Sequence, residues 1–142
     1  MSYLIFGGSG FIGTHLVNLL HEQHPAATIY NLDVVENNHG GRSVFVHCDV
    51  RKNIELALPA SSEDVIFNFS AVHRTPGHPD RDYFETNIRG TENVTEFAER
   101  QGIRKIVFTS SIAPYGASED LKEETTLPMP NTPYGISKLV AE

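Results

Sequence analysis

Cysteine, basic charge and long apolar runs are the scarce things in this 142-residue chain, and each scarcity removes a class of function. Cys48 is the only cysteine, so no intramolecular disulfide can form and a reducing compartment is expected. Eleven Lys and Arg stand against 18 Asp and Glu, a formal net charge of −7 at pH 7. With no basic stripe, neither nucleic acid nor an anionic membrane surface is an expected partner, and a small molecule is. No apolar stretch is long enough to span a bilayer. The first one, Leu4 to Phe6, is broken by glycines and does not read as a signal peptide. The resulting expectation is a cytoplasmic protein. Internal repeats and low-complexity tracts are lacking too. What remains, 39% hydrophobic residues, suffices for one sizeable core and a single domain over residues 1–142.

Against that background one stretch stands out. Leu4 to Gly13 runs from a strand-like segment through a glycine cluster into a helical pattern. Gly8, Gly10 and Gly13 fit G-x-G-x-x-G, while Gly7, Gly10 and Gly13 fit G-x-x-G-x-x-G. Such a turn lets backbone N–H groups and the positive end of a helix approach a diphosphate. A glycine triplet alone is equally compatible with a plain tight turn. Asp33 is the second signal. It lies 20 residues beyond Gly13 at the end of the next strand-like run, Thr28 to Leu32, where an acid accepts hydrogen bonds from a ribose diol. A carboxylate there repels a 2′-phosphate, so NAD is expected over NADP, and Arg42 is read as a solvated loop residue.

Taken in order, Phe11, Ile12, Leu16, Val17, Leu19 and Leu20 predict a first helix, ended at Pro25. Thr28 to Asp33, Ser43 to Cys48, Val65 to Phe69 and Lys105 to Thr109 predict four further strands. The polar segment Glu36 to Arg42 reads as a loop. A short helix is expected at Asn53 to Leu58, stopped by Pro59, and a long one from Arg81 to Arg100. The packed side of the long helix would carry Phe84, Ile88, Val94, Phe97 and Ala98, with Gly102 as its stop. Loops are expected at Val72 to Asp80 and Ile112 to Pro130. Thr132 then caps a last helix with Pro133 at its first position. Strands alternating with helices imply a Rossmann-like α/β fold, a parallel sheet doubly wound about the first strand. The histidine pairs His21-x-x-His24 and His73-x-x-x-x-His78 lack metal-ligand spacing, so no metal is expected. His73 and Arg74 sit on a loop that would face a substrate.

Tyr134 and Lys138 are four apart and share one helix face, which by itself marks only a surface pair. Together with Ser110-Ser111 at a strand end, Asn87 and the glycine turn, they acquire meaning. The chain resembles the extended short-chain dehydrogenase/reductases, in particular the NAD-dependent nucleotide-sugar epimerase/dehydratase family. The motifs that carry the resemblance are Gly7-Gly8-Ser9-Gly10-Phe11-Ile12-Gly13, Asp33, Cys48-Asp49-Val50-Arg51, Asn68-Phe69-Ser70-Ala71, Asn87-Ile88-Arg89-Gly90-Thr91, Ser110-Ser111-Ile112-Ala113-Pro114-Tyr115-Gly116 and Tyr134-Gly135-Ile136-Ser137-Lys138. They occur in the family's order along essentially the whole chain.

The resemblance implies an enzyme with catalytic Ser111, Tyr134 and Lys138. Tyr134 would be a general base at a substrate hydroxyl. A phenol titrates near about 10, so Lys138 and the nicotinamide would favour its ionised form by charge. Lys138 would also hold the nicotinamide ribose, and Ser111 would position the reacting oxygen. Gly7, Gly10, Phe11, Ile12, Gly13 and Asp33 would bind the cofactor, with Asp49 and Val50 flanking adenine and Phe69, Ser70 and Ala71 beside the fourth strand. Each role has a plain competitor: Asp49 as a turn cap, Asn87 bonding a neighbouring backbone, Ser110 as a strand-end hydroxyl. Dehydratases of the family carry a glutamate where this chain has Ala113, which favours 4-epimerase or dehydrogenase/reductase chemistry, on a nucleotide-sugar or on a steroid or other alcohol. Glu119 is a conceivable replacement acid. A non-catalytic dinucleotide-binding module is the third reading. The family runs on past this helix into a C-terminal substrate domain. The resemblance therefore implies an N-terminal portion that is inactive alone and associates through exposed apolar faces, within a parent that is a homodimer.

Overall fold

Period-two alternation in the first strand sets the architecture. In β1 (Ser2–Phe6), Leu4 and Phe6 enter one core while Tyr3 and Ile5 enter another, so both faces of the strand are covered. The other strands are β2 (Thr28–Asp33), β3 (Val44–His47), β4 (Val65–Asn68) and β5 (Lys105–Phe108). The computed structural model, which describes residues 1–74, 76–118 and 120–142, joins them in one parallel sheet of order β3-β2-β1-β4-β5. Leu4 stands opposite Tyr30 on one side and Ile66 on the other. The chain steps outward from β1 to β3, then returns to place β4 on the far side of β1. That reversal opens a crevice at the carboxyl ends of β1 and β4, where open parallel sheets receive ligands.

Two helices cover the two faces. Helix α1 (Phe11–Gln23) buries Gly13, Val17 and Leu20 against Tyr3, Ile5 and Ile29. Its apolar stripe is narrower than the sequence predicts, since Phe11, Ile12 and Leu19 are exposed. The opposite face is closed by α3 (Gly90–Gln101), which inserts Val94, Phe97 and Ala98 among Leu4, Phe6, Leu32 and Ile66. Phe97 meets Phe6 edge to face with centroids 5.9 Å apart. Gly102 ends the helix in the left-handed conformation at φ 69°.

The long helix expected over 81–100 is not continuous. A four-residue turn, α2 (Asp80–Tyr83), leads into a π-turn at Phe84–Arg89 before α3 begins. A π-turn carries one residue more per turn, so it rotates the preceding residues out of the 3.6-residue register. As a result Tyr83 and Asn87 are buried and Phe84, expected inside, faces solvent.

The helix expected at Asn53 to Leu58 does not form. Ile54, Leu56, Leu58 and Ala60 instead pack on the α3 side at every second residue, the spacing of extended chain. Arg100 donates from Nη2 to the Ile54 carbonyl at 2.9 Å, tying this segment to the end of α3. The last helix, α4 (Pro133–Ala141), begins as the sequence predicts. Thr132 Oγ1 accepts from the Gly135 N–H at 3.0 Å, with Pro133 at the first helical position. No helix among the described residues is long and apolar enough to cross a membrane.

Candidate functional site

A cavity of about 700 Å³ occupies the crevice at the carboxyl end of the sheet. Its floor is the turn after β1, whose Gly7, Gly10 and Gly13 line it, which selects the G-x-x-G-x-x-G spacing of the two the sequence offers. Gly7 has φ 79°, and a Cβ there would stand 2.8 Å from the Ser70 nitrogen. A Cβ on Gly13 would lie 2.5 Å from the Gly8 Cα, so this glycine sets how closely α1 packs on the turn. At the start of α1 no side chain caps the helix, and its first turn holds no acid. The N–H groups of a first helical turn have no intrahelical acceptor, so an uncapped helix end facing a cavity suits an anionic diphosphate. Phe11 and Ile12 line the same wall.

Asp33 stands at the carboxyl end of β2 and lines the cavity. Its Oδ2 accepts from the Ser9 N–H and its Oδ1 from the Val35 N–H, both at 3.0 Å. These bonds fix the carboxylate beside the glycine turn with lone pairs to spare for a ribose diol. Arg42 is turned away from it, its Nη1 donating to Asn18 Oδ1 on α1 at 3.0 Å.

Asp49, Val50, Phe69, Ser70 and Ala71 also line the cavity. Arg51 grips Asp49 in a two-pronged pair, Nε to Oδ1 and Nη2 to Oδ2, each 2.8 Å. Those bonds hold the Asp49 carboxyl below the usual carboxylate range.

On the opposite wall Tyr134 and Lys138, one turn apart on α4, face the space that the glycine turn and Asp33 enclose. Lys138 is 3% exposed, donates to the Thr109 carbonyl and lies 4.1 Å from the centroid of the Phe108 ring. Burial lowers its pKa to about 8, while the Glu142 carboxylate acts in the other direction. Tyr134 packs against the buried ring of Tyr83, centroids 6.3 Å apart.

Ser111 is not part of the cavity wall; Ser110 is. Neighbouring residues at a strand end point to opposite sides. The Ser111 Oγ accepts from the Ala113 N–H at 3.1 Å, bracing a short 3-10 turn at Ala113–Tyr115. Ser110 donates to the Glu142 carboxylate. Asn87 does not reach the cavity. Its amide donates to the Val72 carbonyl at 3.0 Å and to Ser137 Oγ at 2.8 Å, and accepts from the Val72 N–H at 2.8 Å. It therefore clamps the loop after β4 to α4.

Cys48, Arg51, Thr86 and Ser110 also line the cavity, and sequence reasoning assigned none of them a role there. Cys48 and Arg51 flank Asp49-Val50, so adjacency was a usable signal. Thr86 had none, because its position depends on the π-turn. Burial pushes the Cys48 thiol up to about 11, which leaves it unreactive at neutral pH. His73 lines the cavity as the sequence suggests. Glu119, the conceivable replacement acid, lies outside the described residues.

Comparison with known proteins bears on the same residues. The family model described as "NAD dependent epimerase/dehydratase family" matches residues 3–142. The chain is 33% identical over 139 residues to the N-acetyl-alpha-D-glucosaminyl-diphospho-ditrans,octacis-undecaprenol 4-epimerase of Escherichia coli O157:H7, covering 98% of the chain and 41% of that protein. To the UDP-glucose 4-epimerase of Halalkalibacterium halodurans it is 31% identical over 151 residues, 100% of the chain and 44% of the relative. Its fold matches a crystal structure of UDP-galactose 4-epimerase with a TM-score of 0.88 at 27% identity, covering the whole chain and 49% of that structure. It also matches the UDP-glucuronic acid 4-epimerase of Bacillus cereus in complex with NAD, TM-score 0.82 at 26% identity, over 99% and 49% of the two chains. The chain thus spans less than half the length of these relatives.

Proposed function

Because this chain belongs to the NAD-dependent epimerase/dehydratase family, we propose that it is the NAD-binding part of an enzyme that inverts a hydroxyl-bearing carbon of a nucleotide-sugar. The observation that carries the reading is the cavity that Tyr134 and Lys138 share with the glycine turn and Asp33. A dinucleotide laid from Asp33 across the turn would bring its second nucleotide to those two side chains. NAD, when bound, supplies a hydride acceptor for the sugar carbon.

The chain's own residues do the rest. The phenol oxygen of Tyr134 takes the proton of the sugar hydroxyl as that carbon is oxidised, and returns one when it is reduced from the other face. The Lys138 ammonium, held by the Thr109 carbonyl at the cavity wall, favours the phenolate by charge and donates to the ribose. Ser111, outside the cavity wall with its Oγ on the Ala113 N–H, braces the turn at Ala113–Tyr115 and does not itself touch the reacting oxygen. Asp49 and Val50 border the adenine, and Phe69, Ser70 and Ala71 the stretch beyond.

The test is Tyr134→Phe in the whole protein, assayed with UDP-sugars. Turnover should fall about 10²- to 10⁴-fold while NAD affinity stays within about threefold. Unchanged turnover would remove Tyr134 from the chemistry, and no turnover of any UDP-sugar by the whole wild-type protein would leave a fold that binds a dinucleotide without using it. A stoichiometric rise in NADH absorbance with product would instead assign a dehydrogenase, since an epimerase returns the hydride to its substrate.

A further inference from the structure

The peptide unit joining Gly8 to Ser9 lies in the middle of the nucleotide turn, and it is held from both sides. Its N–H donates to Asp33 Oδ2 at 3.0 Å, and its carbonyl oxygen lies 3.1 Å from Nε2 of His39. A carbonyl can only accept, so the ring proton sits on Nε2. The bare Nδ1 then accepts from Ser43 Oγ at 2.7 Å. Thr14 Oγ1, in the first turn of α1, is 3.4 Å from the same Nε2.

His39 is 7% exposed and is the one non-glycine residue with positive φ among the described residues, at 52°. Gly40 and Gly41 follow at 67° and 86°, so three successive residues adopt left-handed backbone. Such a backbone persists where its surroundings over-determine it. Here Asn37 Oδ1 accepts from the His39 N–H at 2.9 Å and Asn38 Oδ1 from the Gly40 N–H at 3.1 Å. The effect of the strained turn is to swing the imidazole inward onto the glycine turn.

We propose that His39 is a positioning residue for the dinucleotide: its ring and Asp33 together lock the Gly8–Ser9 peptide, fixing the diphosphate-facing turn and the ribose-facing carboxylate as one preorganised unit. The proposal rests on reading this cavity as the dinucleotide site. Preorganisation of this kind lowers the ordering cost of binding without touching the ligand.

Titration calorimetry on the protein, with NAD, ADP-ribose and nicotinamide mononucleotide as probes, tests it. His39→Leu keeps the bulk and removes the donor. It should weaken NAD and ADP-ribose by about tenfold each, and nicotinamide mononucleotide by less than about twofold. His39→Gln, whose amide N–H can reach the same carbonyl, should restore NAD affinity to within about threefold. Equal NAD affinity in His39→Leu and wild type would overturn the proposal, and so would a glutamine variant as weak as the leucine one. If the leucine variant does not fold, Ser43→Ala takes its place. That change frees the ring tautomer and should weaken NAD about threefold, and no change overturns the proposal. Failure of the wild-type protein to bind NAD at all would remove the dinucleotide reading, and the role of His39 with it.

Discussion

At the scale of single residues, the proposed chemistry depends on a lysine kept out of water. Lys138 titrates near 8, so it is cationic at pH 7 and loses its charge as the pH rises past that value. In the proposed mechanism its support for the Tyr134 phenolate is therefore strongest below about pH 8. In Lys138→Met that support is absent throughout, so the acidic limb of the pH–rate profile should move to higher pH and turnover at pH 7 should fall at least tenfold. His39 ties the stability of the fold to pH. Burial and Arg42 hold its pKa below 6.5, while the Gly8 carbonyl and Asp33 pull upward, with Thr14 and Ser43 as its uncharged neighbours. The unfolded chain then takes up the proton more readily than the folded one. The contribution to stability is present above pH 6.5 and lost as the pH falls. Thermal melts from pH 7.5 to 5.5 should show a fall in Tm that is shallower in His39→Gln.

At the scale of elements, three pieces of chain meet at Asn87: the loop after β4, the π-turn and α4. Truncation by Asn87→Ala leaves the half-buried N–H and carbonyl of Val72 unpaired and frees α4 at Ser137. A loss of about 1–3 kcal/mol is expected in denaturant unfolding, with weaker NAD binding as Tyr134 and Lys138 lose their support. The glycine turn is the other joint. Gly13→Ala places a methyl group 2.5 Å from the Gly8 Cα, which should cost about 1–3 kcal/mol and displace α1 from the turn. A Gly13→Ala protein as stable as wild type would mean that the turn tolerates a shift the packing forbids. Element boundaries followed closely from local signals where those were chemical, as at Thr132-Pro133. They failed where the chain's path depended on distant partners. The segment 53–58 is extended because α3 offers it a surface for alternate side chains and Arg100 an anchor. Nothing local could weigh that against a helix of similar composition.

At the scale of the whole molecule, the cavity belongs to the sheet's return from β3 to β4. A ligand that binds there and not to the unfolded chain stabilises it by mass action. NAD at about 100 times its Kd should add about 2.7 kcal/mol, visible as a rise in Tm. NADP at equal concentration should add much less, because in the proposed pose Asp33 meets the ribose and repels a 2′-phosphate, while Arg42 is engaged with Asn18. Among the described residues β5 pairs only with β4, at one end of the sheet order, and leaves Ile106 and Val107 at 40% and 45% exposure. An unpaired edge beside exposed β-branched residues predicts that the 142-residue chain self-associates, giving a light-scattering mass that rises with concentration.

The sequence by itself determined the parallel α/β fold, the glycine turn with its acid at β2, and the pairing of Tyr134 with Lys138. Each of these is written in short-range spacing, and short-range spacing is what local backbone preferences and side-chain periodicity can encode. Only the tertiary structure decided that Ser110 rather than Ser111 lines the cavity, that Asn87 is a clamp, and that His39 reaches the Gly8 carbonyl. Those outcomes turn on a π-turn's change of register, on which way a strand-end residue points, and on a left-handed loop. They are set by contacts between residues up to 50 positions apart, which no local pattern contains.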